Sequence, residues 1–271
     1  MKPAAFDYVR ADSAEVAAAL LQRYGEGARI LAGGQSLMAV LNMRLAQPEL
    51  LIDISRSVEL AAISVEGHAL RVGAAVTQAQ LQAHPEVPPL LALAFPHISH
   101  FQIRNRGTVC GSIAHADPSA ELPLCLVALQ GTVHLRSTRG VRQLAAADFF
   151  TGLLSTARRA DELVEAVSFP RPATGQSFGF AEHVRRHGDF ALCAVAVVAD
   201  AKGMRLAVGG LSDCPQAFEL PVLADAALDD ALNEIAWSLQ VRDDPHTSAA
   251  TRRHLLRRLA RQAIQSARRQ P

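Results

Sequence analysis

Apolar positions recur at helical spacing over residues 12–24, where Val16, Leu20, Leu21 and Tyr24 align as one stripe. Asp12 and Glu15 supply a capped start to that helix, and Gly25-Glu26-Gly27 ends it. Ala28 to Leu31 then predicts a short strand, Leu37 to Leu45 a helix and Leu50 to Ile54 a second strand. The first part of the chain therefore reads as a small β-α-β unit with a glycine turn at the end of a strand. A hairpin follows, with arms at 62–65 and 69–72 turned at Glu66-Gly67-His68. Thr77 to Gln80 is a capping box that opens a short helix ended by Pro85, and Leu90 to Ala94 is another short helix. An apolar helix over about 121–129 precedes a second hairpin, 131–136 with 141–144, and Leu163 to Phe169 is a strand closed by Pro170.

Residues 170–177 carry two prolines and a glycine in a polar stretch, and read as a linker. Beyond it the pattern changes to three strands, at 178–185, 191–199 and 204–208, followed by two helices at about 226–239 and 248–266. The expectation for this part is a three-stranded antiparallel sheet backed by helices.

Two glycine-bearing segments change the picture from architecture to chemistry. They are Ala32-Gly33-Gly34-Gln35-Ser36-Leu37 and Thr108-Val109-Cys110-Gly111-Ser112-Ile113. Each is read as following a strand-like run, and each contains a small hydroxyl residue. Glycine lets backbone N–H groups approach an anion, and successive N–H groups in a tight turn form a nest for phosphate oxygens. Two such nests point to one ligand with two linked phosphates. The familiar signatures are missing: there is no GxxxxGK[ST], and Gly25-Glu26-Gly27 lacks the last glycine of GxGxxG and follows a helix. The first segment alone is equally an ordinary strand-to-helix turn.

Composition narrows the class. Of the 271 residues 49% are hydrophobic and 20% charged, which suits a packed core in two modest domains or one large one. A net charge of +1 gives no overall attraction to nucleic acid or anionic lipid, and the basic row Arg252, Arg253, Arg257, Arg258, Arg261 shares its helix with an apolar stripe. No apolar run has spanning length, and the first fifteen residues lack a signal core, so a cytoplasmic protein is expected. The four cysteines, Cys110, Cys125, Cys193 and Cys214, show no metal-ligand spacing and read as reduced thiols. His97, His100 and His115 also lack the spacing of a metal set.

The second segment belongs to a longer run, Ile103-Arg104-Asn105-Arg106-Gly107-Thr108-Val109-Cys110-Gly111-Ser112-Ile113, continuing through Ala116-Asp117-Pro118 to Glu121. It resembles the flavin-binding medium subunit of the molybdenum hydroxylases, the aerobic carbon monoxide dehydrogenase and xanthine dehydrogenase group. The family pattern is A-G-G-x-S-L followed by I-R-N-x-G-T-x-G-G-(N/S)-(I/L), and Arg185-Arg186-His187-Gly188-Asp189-Phe190-Ala191 resembles a third landmark. The resemblance covers essentially the whole chain. It implies an α+β fold: an FAD-binding domain of the vanillyl-alcohol-oxidase (PCMH) type at 1–172, in subdomains of about 1–55 and 56–172, then a smaller C-terminal domain at 178–271. By the same resemblance Ala32, Gly33, Gly34, Gln35, Ser36 and Leu37 hold the FAD pyrophosphate from one side and Thr108, Gly111 and Ser112 from the other. Glu121 matches a position that hydrogen-bonds the ribityl chain, Ile98 one against the adenine, and Leu163 or Val164 one against the isoalloxazine.

The resemblance further implies an electron-transfer subunit with no catalytic acid or base of its own. A small iron–sulfur subunit with [2Fe-2S] clusters would feed it, a large subunit would hold the molybdenum cofactor, and the assembly would be a dimer of heterotrimers. Two positions depart from the pattern. Cys110 replaces the first glycine of T-x-G-G, and Ala181 stands where xanthine-oxidising relatives carry a lysine, which lowers the expectation of NAD as acceptor. The alternatives at this point are a self-sufficient FAD oxidase or reductase and a nucleotide-binding scaffold; quinone, oxygen, a carrier or NAD all stay open as the acceptor.

Overall fold

A computed structural model describes residues 2–245 and 247–270. The chain opens with strand β1 (Asp7–Arg10), helix α1 (Ala14–Tyr24), β2 (Ala28–Leu31), α2 (Leu37–Asn42) and β3 (Leu50–Asp53). The three strands form a parallel sheet in the order β1-β3-β2. The hydropathy pattern misses β1 because all four of its residues are exposed. Helix α1 starts one residue later than expected: Ser13, not Asp12, caps it by accepting from the Val16 N–H. The buried face is Ala14, Ala17, Ala18 and Leu21, whereas Val16 is 45% exposed. Leu21 of the predicted stripe is buried and Leu20 and Tyr24 pack against the core; alanines take the place of Val16 in closing the helix on its neighbours. Helix α2 stops at Asn42, short of Leu45.

The hairpin β4 (Ile63–Glu66) and β5 (Ala69–Gly73) stands where expected, and the Thr77 capping box is complete on α3 (Gln78–Gln82). Helices α4 (Pro89–Ala94), α5 (Phe101–Arg104), α6 (Val109–His115) and α7 (Glu121–Ala128) follow, then β6 (Thr132–Ser137) and β7 (Gly140–Ala145). A short helix α8 (Ala146–Phe149) leads to the small hairpin β8 (Phe150–Gly152) and β9 (Ser155–Thr156), and then to β10 (Leu163–Pro170). A five-stranded antiparallel sheet results, in the order β4-β5-β10-β6-β7. Its central strand β10 carries Glu165 at a register shift, where the buried carboxylate takes Arg136 at 2.6 Å and Arg71 at 3.4 Å from the two flanking strands. Two cations meeting one buried anion hold this sheet at its middle.

The C-terminal sheet has four strands rather than the expected three: β11 (Ser177–His183), β12 (Cys193–Ala199), β13 (Gly203–Gly209) and β14 (Gln216–Pro221). The extra strand lies at the edge with alternate residues exposed, so its apolar signal is weak. Helices α9 (Asp225–Ser238) and α10 (Ala249–Arg268) pack on one face. The arginine row of α10 is largely spent within this unit. Arg257 donates to Asn233 at 2.7 Å, Arg261 pairs with Asp229, Arg268 lies 3.5 Å from Asp225, and Arg253 sits 4.5 Å over the Trp237 ring. Helix α7 is buried on every side, since it packs against the neighbouring α4 and α6 and against β12 and β13 of the C-terminal sheet.

Candidate functional site

The first glycine segment leaves the C-terminal end of β2. Gly34 takes φ +73°, a conformation that a side chain resists, and its carbonyl accepts from Met38 N–H at 3.1 Å to start α2. The backbone N–H groups of Gly34, Gln35 and Ser36 have no acceptor among the described residues. The Gln35 amide folds back to donate to the Gly33 carbonyl at 3.2 Å. This end of α2 therefore presents several unpaired donors at one place.

The second segment does not follow a strand. It follows α5, and Thr108 is the cap of α6. Its Oγ1 accepts from Gly111 N–H at 3.0 Å, so that N–H is already used inside the helix. The segment is anchored to the start of α3: Gln78 N–H donates to the Gly107 carbonyl at 2.8 Å, and Val109 N–H to that of Val76 at 3.1 Å. Cys110 is helical and buried, with its thiol 3.4 Å from the Val72 carbonyl; burial pushes its pKa up to about 12. The thiol thus belongs to the core, which removes the steric objection to a Cβ in the motif.

The two segments meet at Gly33. A Cβ there would lie 2.2 Å from the Arg106 carbonyl oxygen and 2.7 Å from Gly107 Cα. The glycine is needed for backbone to pass against backbone, a requirement the sequence alone did not suggest. Around this junction run two adjoining clefts. One, of about 330 Å³, is lined by Ala32, Gly33, Gly34, Gln35, Met38 and Arg106 among others. The other, of about 540 Å³, is lined by residues including Tyr8, Arg10, Arg56, Thr77, Arg106 and Thr108. Both share Ala32, Asp53, Ser55 and Arg106.

Arg10, Arg56 and Arg106 outnumber the single acid Asp53 in these linings. Burial opposes the Asp53 charge. Hydrogen bonds from Tyr8 Oη and from Ser55 N–H at 2.8 Å, with Arg10 nearby, outweigh it and hold the carboxyl below the usual range. Tyr8, Arg10, Asp53, Ser55 and Arg56 were not singled out from sequence; Thr77 stood there only as a helix cap and Asn105 only within the motif run. Arg10 and Tyr8 lie on the strand that hydropathy missed, and only the parallel pairing of β1 with β3 brings them in. Arg104 has a different part: its Nη1 donates to the carbonyls of Ile98 and Ser99 at 2.7 and 3.2 Å, bracing the loop before α5.

Ser36, Leu37, Ile98, Gly111, Ser112, Glu121 and Leu163 do not line either cleft. Ile98 and Leu163 are buried in the larger core cluster. Glu121 opens α7 and is 5% exposed; burial, aided by the neighbouring Glu182, raises its pKa to about 7. His97 Nδ1 lies 3.2 Å from Glu182 Oε1, and that contact raises the imidazole pKa against the effect of burial. Ala181 packs into the core beneath α10.

Residues 4–172 match the family described as FAD binding domain in molybdopterin dehydrogenase. The chain is 39% identical to the nicotine 6-hydroxylase medium subunit of Paenarthrobacter nicotinovorans, over 97% of this chain and 98% of that one. Among solved structures it superposes with a TM-score of 0.93 on carbon monoxide dehydrogenase from Hydrogenophaga pseudoflava, 31% identical and covering 98% of each chain. Quinoline 2-oxidoreductase from Pseudomonas putida 86 gives 0.92 at 33% identity, covering 99% of each.

Proposed function

Because the chain belongs to the family of FAD-binding domains in molybdopterin dehydrogenases, we propose that it is the flavin-carrying medium subunit of a heterotrimeric molybdenum hydroxylase. In this reading a small subunit with [2Fe-2S] clusters delivers electrons, a large subunit holds the molybdenum cofactor, and an external acceptor takes the electrons on. The assembly is a dimer of such heterotrimers in the cytoplasm. The FAD domain comprises 1–172 and the C-terminal domain 178–271.

The observation that carries the reading is the junction of the two glycine segments. Gly34 and Gln35, with unpaired N–H groups, and the cationic Arg106 line one cleft there, and the unpaired Ser36 N–H follows in sequence, which supports a donor set for a diphosphate. Ala32, Gly33 and Leu37 fix the path of that turn. Thr108 accepts from Gly111 with one lone pair, and its O–H proton remains to be donated outward. Gly111 thus contributes by completing the cap, and Ser112 offers a hydroxyl one residue further. Glu121 serves as acceptor for ribityl hydroxyls, and Ile98 and Leu163, buried outside the two clefts, back the adenine and the isoalloxazine from the core side. When bound, the flavin supplies the exchange between one-electron and two-electron transfer; the protein binds it and fixes its surroundings.

Titration of the purified chain with FAD tests this directly. Saturable binding with a bound-flavin absorption band is the expected result, and co-expression with neighbouring frames should recover two further chains, one rich in cysteine. A chain that binds no FAD under conditions where it is folded refutes the proposal.

A further inference from the structure

Among the buried polar atoms left without a partner in the described residues, Gln78 Oε1, Glu182 Oε2, Ser212 Oγ and Arg252 Nε, the carboxylate oxygen of Glu182 is the one that carries a charge on an acceptor. Glu182 stands on β11 with its side chain 3% exposed. Its Oε1 is taken by His97 at 3.2 Å, but Oε2 is buried without a hydrogen-bond partner. A buried polar atom left unpaired costs stability, and native proteins pair nearly all of them. Strand alternation puts Glu182 on the same face as Phe178 and Phe180, which join the larger core cluster, and opposite Ala181, which joins the C-terminal one. Glu182 therefore faces the helices of the first part of the chain. The His97 ring confirms that direction, lying 5.2 Å from the Phe180 ring.

Glu121 enters the same space from the start of α7. Among the described residues its carboxyl interacts with its own backbone N–H and, electrostatically, with Glu182, His97 and Asp117. Cys125, one turn along α7, feels both glutamates and adds no charge, since burial holds its thiol pKa well above the ordinary value. Two buried glutamates with an aspartate beside them and one imidazole make a poor site for an anion. Among the described residues no set of three or more His, Cys, Asp or Glu side chains is placed to hold a metal ion. A neutral group carrying several hydroxyls is what such acceptors suit.

We infer that Glu182 acts with Glu121 as a two-carboxylate receptor for a hydroxyl-bearing chain, with His97 bracing Glu182 so that Oε2 faces the ligand. The inference rests on the flavin reading above and extends it: the ribityl chain has a second acceptor, supplied by the C-terminal sheet. Holding the cofactor then also ties β11 to α7 across the two parts of the protein.

The test compares two probes on the full-length chain. FAD carries the hydroxyl chain, and ADP carries the adenosine and diphosphate without it. Glu182→Ala should weaken FAD binding, read by quenching of flavin fluorescence, by about tenfold or more, the scale of one charged hydrogen bond. ADP, read by competition, should stay within about twofold of wild type. Should Glu182→Ala fail to fold by circular dichroism, Glu182→Gln keeps the volume and one acceptor, and should weaken FAD by about threefold with ADP unchanged. Equal loss of FAD and ADP would assign Glu182 a merely structural part and overturn the inference. Unchanged FAD binding in a folded variant would do the same, leaving Oε2 to a buried water. A wild-type chain that binds ADP but shows no preference for FAD overturns it as well. Failure of wild type to bind either probe would instead bring down the flavin reading on which it stands.

Discussion

Gly33→Ala is the sharpest perturbation of the junction. The added Cβ would stand 2.2 Å from the Arg106 carbonyl oxygen, where ordinary van der Waals contact begins near 3.4 Å. The difference, 3.4 − 2.2, means that about 1.2 Å of separation must be created between two backbone segments. Neither side yields easily. Gly107 is pinned through its N–H to Ile103 and its carbonyl to Gln78, and Gly33 lies two residues past the end of β2, which is paired with β3. Overpacking of this kind costs about 1–3 kcal/mol, and a 1 Å displacement of a binding group can cost far more in function than in stability. The expected result is a modest fall in the thermal midpoint of the free protein, with FAD affinity reduced by about tenfold or more. Gly152→Ala is the control: its Cβ would meet only Ser155 Cβ at 3.8 Å, and stability should stay within about 0.5 kcal/mol of wild type. The assay pairs thermal unfolding by circular dichroism, with and without FAD, with fluorescence titration. A Gly33→Ala protein whose FAD affinity stays within about twofold of wild type would refute the claim that this contact shapes the site.

Glu121 should make the free protein less stable as pH rises. Its folded pKa is about 7 against an ordinary 4.5, so between those values the folded state holds a proton that the unfolded state has released, and stability falls with pH. Glu121→Gln should flatten that slope and, above pH 7, stabilise the free protein by up to about 3 kcal/mol while weakening FAD binding; chemical denaturation across the pH range measures it. Asp53 carries the opposite sign. Its folded pKa is depressed, so its contribution is present above the ordinary carboxylate range and lost as pH falls through the lowered value. Tyr8→Phe removes the hydrogen bond to Asp53 and should lower the thermal midpoint at neutral pH, with the gap to wild type closing in acid. Finally, native alkylation followed by mass spectrometry should label Cys214 first, because Cys110, Cys125 and Cys193 are buried with pKa values pushed up; early labelling of Cys110 would contradict its place in the core.

Much of the fold was legible where periodicity and turn chemistry agree. The 62–72 hairpin, the Thr77 capping box and α7, apolar after Glu121, all stand at or within a residue or two of their expected places. The exposed strand β1 and the edge strand β14 were not, since each earns its place by pairing rather than by burial. At α1 the short alanines bury while Val16 does not, because close approach to the sheet favours small side chains over greasy ones. The glycine segments have structural parts that the sequence did not show: Gly33 is set by backbone contact and Gly111 by the Thr108 cap. Arg10, Arg56 and Tyr8 carry no local signal, for they reach the clefts only through the parallel sheet. Glu182 was likewise silent, because a lone glutamate in a strand says nothing of what lies opposite it.

Gly33 and Arg106 touch although 73 positions separate them along the chain, 106 − 33. Closing so long a loop costs entropy before any contact repays it, and such non-local pairings form late in folding. A nascent chain therefore lacks the Gly33–Arg106 junction until α5 and α6 have been brought back onto the first β-α-β unit. On the proposed reading, cofactor loading would follow tertiary closure rather than seed it.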